Sequence, residues 1–243
     1  MSFARAVADA NTNRHIALIK VTQGGTSLTT DWNPTSGYMY ATLTNLARVA
    51  LQALANEGST YTLRGMIWHQ GESDGSLSTS SYQAKLTDFI NAVRRDFAVT
   101  NLPFVVGELA TNRSLTVRQA QFNVSEIMPY VGFASSSNLP TLATNDPHFT
   151  ASSQLTMGQR MAAALEVPPL RFEAITRAGN SVLLSATGLA QLRCRLVGTT
   201  NLPLPLSQWS LITTGRFDAS GRLAFTNALA PASVAWFFSM VEE

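Results

Sequence analysis

The chain has 243 residues, enough for one large domain or for a medium one with a small companion. Hydrophobic residues make up 45% and charged residues 13%, so a sizeable core can form, and a net charge of +2 with scattered basic residues leaves no nucleic-acid footprint. No apolar run approaches the roughly 18–20 residues of a membrane-spanning helix, no basic-then-apolar leader opens the sequence, and the single Cys194 reads as a small buried strand residue.

Residues 3–10 carry the spacing of an amphipathic helix. Residues 15–21 (His-Ile-Ala-Leu-Ile-Lys-Val) read as an apolar, β-branched strand that runs into the glycine loop Gln23-Gly24-Gly25-Thr26-Ser27. Residues 38–57 repeat apolar side chains at helical spacing (Leu43, Leu46, Val49, Ala50, Leu54) and stop at Gly58. Residues 65–70 form a short apolar strand that turns abruptly polar at His69-Gln70-Gly71-Glu72-Ser73-Asp74. Ser80 or Ser81 then caps a helix over 82–97, with Leu86, Phe89, Ile90 and Val93 on one face. A strand over 103–109, a helix over 115–128 and a strand over 131–135 follow. The polar loop Asn145-Asp146-Pro147-His148-Phe149-Thr150 leads into a last helix over 152–165. Strands alternating with helices predict an α/β parallel sheet with flanking helices.

At Pro168-Pro169 the helical period ends. Short runs over 181–186, 192–197, 209–214, 223–226 and 236–241 are separated by turn signals such as Ala178-Gly179-Asn180 and Asp218-Ala219-Ser220-Gly221. They predict a small C-terminal all-β sandwich. The expected division lies near Val167, giving residues 1–166 and 167–243.

Open α/β sheets bind ligands outside the carboxyl ends of their strands. Three loops fall there, holding Gly24 and Gly25, then Gln70 to Asp74, then Asp146 to His148. That set suits acyl transfer. His148 is the candidate general base, and Asp146, two residues earlier, can reach its ring and fix its tautomer. A backbone N–H at Gly24 or Gly25 and the Gln70 amide are candidate donors to an oxyanion, each worth roughly 10²–10³ in rate. Gly71-Glu72-Ser73-Asp74-Gly75 matches literally the Gly-x-Ser-x-Gly pattern of the α/β-hydrolase nucleophile elbow, and Ser73, Asp146 and His148 come in the order those hydrolases use. The elbow, however, needs a helix directly after the serine, and the Ser/Thr run to Ser81 delays it. Ser27 reads most simply as a turn hydroxyl. His15 and His69 read as structural, and Trp32 as either core or a sugar-facing ring. No Cys/His/Asp spacing suggests a metal site.

Taken together these residues resemble the SGNH-hydrolase superfamily, and more narrowly its sialate O-acetylesterase and acetylxylan esterase branch. Trp68-His69-Gln70-Gly71-Glu72-Ser73-Asp74 resembles that branch's Trp-x-Gln-Gly-Glu block. Gly24-Gly25-Thr26-Ser27 resembles its glycine block, and Asp146-Pro147-His148-Phe149-Thr150, ahead of residues 157–162, its closing Asp/His block. The match covers about residues 2–165. It implies a flavodoxin-like SGNH sheet, a secreted or periplasmic protein, and a serine-type hydrolase that removes O-acetyl groups from carbohydrates without metal or cofactor. It also implies that Gly25 and Gln70 form the oxyanion hole, and that Glu72 braces the site or shares with Asp146 the orientation of His148. The C-terminal part resembles small β-modules of secreted bacterial polysaccharide enzymes, for which carbohydrate binding, surface anchoring and a spacer role all stay open.

In one respect the sequence departs from the family. The family's nucleophilic serine ends the first strand in a Gly-x-Ser block, and the residues before His15 hold only Ser2, at the start of a helix. The chain thus reads as a member lacking that block. The strands over 15–21 and 65–70 are then expected to lose a shared neighbour. The gap is closed by their direct pairing, by a partner copy in a homo-oligomer, or by an N-terminal fragment that completes the sheet. Two rivals follow: an esterase using Ser73, and an inactive remnant that binds glycans or serves as a structural module.

Overall fold

The most uniformly apolar strand of the first half, Phe104-Val105-Val106-Gly107, is buried at every position, and it forms the middle of a parallel sheet. A strand covered on both faces needs this composition. The computed structural model describes residues 2–179, 181–228 and 235–242. In chain order its helices are α1 (Ser2–Asp9), α2 (Tyr38–Asn56), α3 (Thr79–Asp96), α4 (Leu115–Ile127) and α5 (Ala151–Ala163). Its strands are β1 (Met66–Trp68), β2 (Phe104–Gly107), β3 (Val131–Ala134), β4 (Arg171–Ala178), β5 (Ser181–Thr187), β6 (Arg193–Thr199), β7 (Ser210–Arg216), β8 (Arg222–Ala228) and β9 (Phe237–Glu242). Among the described residues no helix is long and apolar enough to cross a membrane.

The chain divides into two compact units. The first comprises Met1–Tyr61, Gly65–Asp96 and Pro103–Val167, and the second Thr62–Arg64, Phe97–Leu102 and Pro168–Glu243. In the first, β1 and β3 flank β2 in parallel, with Met66 opposite Phe104 and Phe104 opposite Val131. One face of the sheet carries Trp68 and Phe104 against Phe89 of α3, with Trp32 at 5.1 Å from Trp68. The other carries Val105 and Ala134 against Met157 and Met161 of α5. Gly132 lets α5 end directly on β3, since a Cβ there would lie 1.9 Å from the Ala164 carbonyl oxygen. Burial of a side chain such as Phe89 or Leu86 contributes roughly 1.5–3 kcal/mol.

The second unit contains two antiparallel three-stranded sheets, ordered β4-β5-β8 and β7-β6-β9. Leu184, Cys194, Leu196 and Phe225 are buried in it. Gly215 of β7 faces Phe225 and Leu223 of β8, so these two strands pack across the unit. The turn residue Asn180 lies outside the described residues.

Four expectations are corrected. Residues 15–21 form no strand: the segment is irregular, Leu18 and Ile19 are 52% and 40% exposed, and among the described residues β1 pairs with β2 alone. Direct pairing of the two segments is therefore excluded, because β-branched composition does not make a strand without a hydrogen-bonding partner. Helix α2 buries Met39, Tyr40, Thr44 and Ala47, while Leu46 and Val49 face outward. Helix α3 begins at Thr79, where the Ser78 Oγ accepts from Ser81 N at 3.2 Å, three residues before the expected start. Strand β4 was not expected, because almost all of it is exposed and its sequence shows no alternation.

Candidate functional site

Strand β1 ends on residues that alternate between its two faces. Trp68 turns into the aromatic cluster, and His69 turns the opposite way, its Nε2 3.2 Å from the Glu108 carbonyl oxygen and its ring 5.7 Å from that of Phe149. Gln70 then enters the loop and is almost fully buried. Its Nε2 donates to the Thr26 carbonyl at 2.9 Å and to Asp74 Oδ2 at 2.7 Å, while its carbonyl accepts from the Tyr82 hydroxyl and from Gln121 Nε2. Gly71 has φ +146°, and a Cβ there would meet Val117 at 2.7 Å, so only glycine makes this turn without strain.

Asp74 is the hub of this corner, and sequence reasoning quoted it without giving it a task. It is 2% exposed and accepts from Ser27 Oγ, Leu28 N, Thr29 N, Thr29 Oγ1 and Gln70 Nε2. A buried carboxylate held by so many neutral donors is well satisfied without a cation. The glycine loop is thereby pinned to the end of β1. Trp32 Nε1 donates to Thr26 Oγ1 at 2.9 Å, and with 5% exposure Trp32 is core, not a sugar-facing ring. Ser27 is engaged as a turn hydroxyl, accepting from Thr29 N and donating to Asp74.

The second cluster lies in the loop before α5. Asp146 Oδ1 accepts from His148 N and contacts His148 Nδ1, both at 2.7 Å. These bonds, the backbone one foremost, hold the Asp146 carboxyl below its ordinary range. An ionised Asp146 fixes the proton on Nδ1 and leaves the lone pair of His148 on Nε2. The His148 side chain is 73% exposed, so that nitrogen is open to a substrate. Thr150 caps α5 by accepting from Ser153 N, which fixes where the loop ends.

The loop after β2 ties the two clusters together. Asn112 Nδ2 donates to the carbonyls of Thr144 and Asp146, and Arg113 donates to that of Asn145. Ser114 Oγ and Thr116 Oγ1 donate to the Gly75 and Leu77 carbonyls of the β1 loop. Below them Glu108 is buried. Burial would raise its pKa, but hydrogen bonds from Ser136 N–H, Arg118 and the hydroxyls of Ser136 and Ser135 outweigh this and hold it below the usual carboxylate range. Asn112, Arg113 and Glu108 were missed in the sequence. The polar ending of the Phe104–Leu109 run, Gly107-Glu108, was the available signal.

The residues expected to act together separate into two groups. Asp146 and His148 are joined directly. Gln70 and the glycine loop are joined to each other, but both Gln70 amide protons are taken within the loop, so it offers no free oxyanion donor in this arrangement. Gly25, at φ +74°, is an exposed turn residue. Glu72 and Ser73 are exposed on a single 3₁₀ turn, and among the described residues neither side chain forms a hydrogen bond or ion pair. Glu72 therefore does not share the orientation of His148 here. No group of three or more His, Cys, Asp or Glu that could hold a metal is found among the described residues.

Residues 1–166 match the family described as carbohydrate esterase, sialic acid-specific acetylesterase. The chain belongs to this family. Among solved structures it is similar to a protein from Arabidopsis thaliana, with a TM-score of 0.57 and 25% identity, covering 67% of this chain and 65% of that one. It also resembles a carbohydrate acetylesterase from Xanthomonas citri, with a TM-score of 0.51 and 17% identity, covering 96% of this chain and 57% of that one. This chain thus spans less than two thirds of either. It matches none of the curated proteins.

Proposed function

We propose that this carbohydrate esterase removes O-acetyl groups from glycans by serine-type acyl transfer on an SGNH-type sheet. The observation that carries the reading is the Asp146–His148 pair at 2.7 Å, with the histidine side chain largely exposed. In this reading His148 takes the proton of the attacking serine and returns it to the leaving sugar hydroxyl, while Asp146 orients the ring and stabilises the imidazolium. The Gly25 N–H is the oxyanion donor, and Gln70 holds it in place through the neighbouring Thr26 carbonyl. Gln70 joins as a donor only by releasing one of its two present partners. The nucleophile is a serine carried on a further strand beside β1, since neither Ser27 nor Ser73 is hydrogen-bonded to His148.

The test is acetate release from acetylated xylan and hydrolysis of p-nitrophenyl acetate by the chain joined to an N-terminal strand bearing a serine, and by its His148→Ala and Ser73→Ala variants. His148→Ala is expected to lose at least roughly 10³-fold in kcat with the melting temperature nearly unchanged, because the side chain is exposed. Ser73→Ala is expected to keep wild-type activity. Activity that disappears with Ser73 would move the nucleophile into the β1 loop, and a fully active His148→Ala would remove His148 from the mechanism.

A further inference from the structure

The sheet β7-β6-β9 has two unlike faces. One is apolar, with Cys194 and Leu196 fully buried. The other is cationic. Arg193 and Arg195 are two apart on β6 and share a face. Arg216 stands directly opposite Arg193 on β7, and Thr214 opposite Arg195. All four residues are exposed. Arg193, Thr214, Gly215 and Arg216 line a shallow hollow of about 200 Å³.

Like charges directly opposite each other on a sheet cost stability, so this arrangement calls for a counter-charge. The described carboxylates from Pro168 onward are engaged elsewhere. Glu173 bonds Arg171 and Thr187, Asp218 accepts from the backbone and hydroxyl of its own turn, and Glu242 pairs with Arg64. Arg216 donates one bond to the Gln191 carbonyl. Among the described residues Arg193 and Arg195 form neither a hydrogen bond nor an ion pair.

We infer that this face docks an acidic polysaccharide. Arg193, Arg195 and Arg216 take its carboxylates, and the Thr214 hydroxyl gives a further donor. Guanidinium forks match carboxylates in two parallel hydrogen bonds, which lysines do not. Neighbouring positions on such a face repeat at about 5–7 Å, so several guanidinium groups can engage one polyanionic chain together. The inference rests on the glycan-esterase reading of the first unit, which favours a polysaccharide over other polyanions. None of the four residues is aromatic, so the cationic patch itself offers no stacking platform of the kind on which single-stranded nucleic acid binds.

The test uses the full chain, with polygalacturonate, neutral xylan and duplex DNA as ligands in titration calorimetry. Polygalacturonate is expected to bind, more weakly as salt rises. Arg193→Gln/Arg216→Gln is expected to weaken it roughly tenfold or more. Arg195→Gln alone is expected to have a smaller effect of the same sign. Equal affinity for xylan, tighter binding of DNA, or variants that bind like wild type would each overturn the inference. Acetate release is read separately: its loss with uronate binding intact would count against the esterase reading and leave this face standing.

Discussion

Asp74 and Glu108 are both buried carboxylates, and they are stabilised by different means. Asp74 is ringed by hydroxyl, amide and backbone donors, whereas Glu108 has a cation, Arg118, whose Nη2 lies 2.7 Å from Oε1. The Glu108 carboxyl lies below its usual range in the folded chain. Its folded pKa is below its unfolded one, so it contributes stability above the ordinary carboxylate range and loses it as pH falls through the depressed value. Glu108→Gln keeps the shape but removes the charge, and it leaves Arg118 half-paired. The expected cost at neutral pH is roughly 2–4 kcal/mol. In denaturant titrations at descending pH, the gap between variant and wild type should narrow once the pH drops below the carboxylate range. A gap that stays constant would mean that shape, not charge, is what Glu108 contributes.

At the scale of elements, the site is a set of strand ends joined by loops, and the joints are side chain to backbone. Asp74 joins the β1 loop to the glycine loop. Asp74→Ala would leave the buried Leu28 N without its acceptor and one of the two Gln70 Nε2 protons unpaired, the other still donating to the Thr26 carbonyl, with an expected cost of about 2–3 kcal/mol. Ser27→Ala removes one donor from the same carboxylate and should cost only about 1 kcal/mol. Limited proteolysis reads the same joint, with cleavage within residues 23–32 rising in Asp74→Ala and not in Ser27→Ala. Equal cleavage in both would show that the glycine loop is held by Trp32 instead. How much of this was legible follows from what each signal encodes. The 103–109 and 131–135 strands and the face of α3 were readable because burial on a regular element leaves a period in the sequence. So was the Asp146–His148 contact, since two residues of one loop are close by connectivity alone. The Asp74 hub joins residues 46 positions apart, and no local pattern encodes it. Residues 15–21 have the composition of a strand, but a strand also needs a neighbour.

For the molecule as a whole, the open question is the outer edge of β1. In a parallel pair each strand turns alternate residues toward its partner. Met66 N donates to the Pro103 carbonyl on the β2 side, so Ile67 between Met66 and Trp68 turns its N–H and C=O away from β2. Its side chain is 39% exposed, and in the same unit Leu18, Ile19, Leu46 and Val49 are also exposed. Parallel sheets are ordinarily covered, and an open apolar edge pairs with whatever strand is offered. In our reading a further strand occupies this edge: a partner copy would cover it, and a strand N-terminal to residue 1 would both cover it and bring the nucleophile. Amide hydrogen exchange tests this at one position. In the chain as a dilute monomer, Ile67 N–H should exchange far faster than Met66 and Trp68 on either side of it. It should become protected when the chain self-associates at higher concentration, or when an N-terminal strand bearing a serine is added. Sedimentation run alongside tells these two routes apart. An Ile67 amide that is already protected in the monomer would mean that the edge is closed from within the chain, and the search for the nucleophile would return to Ser27 and Ser73.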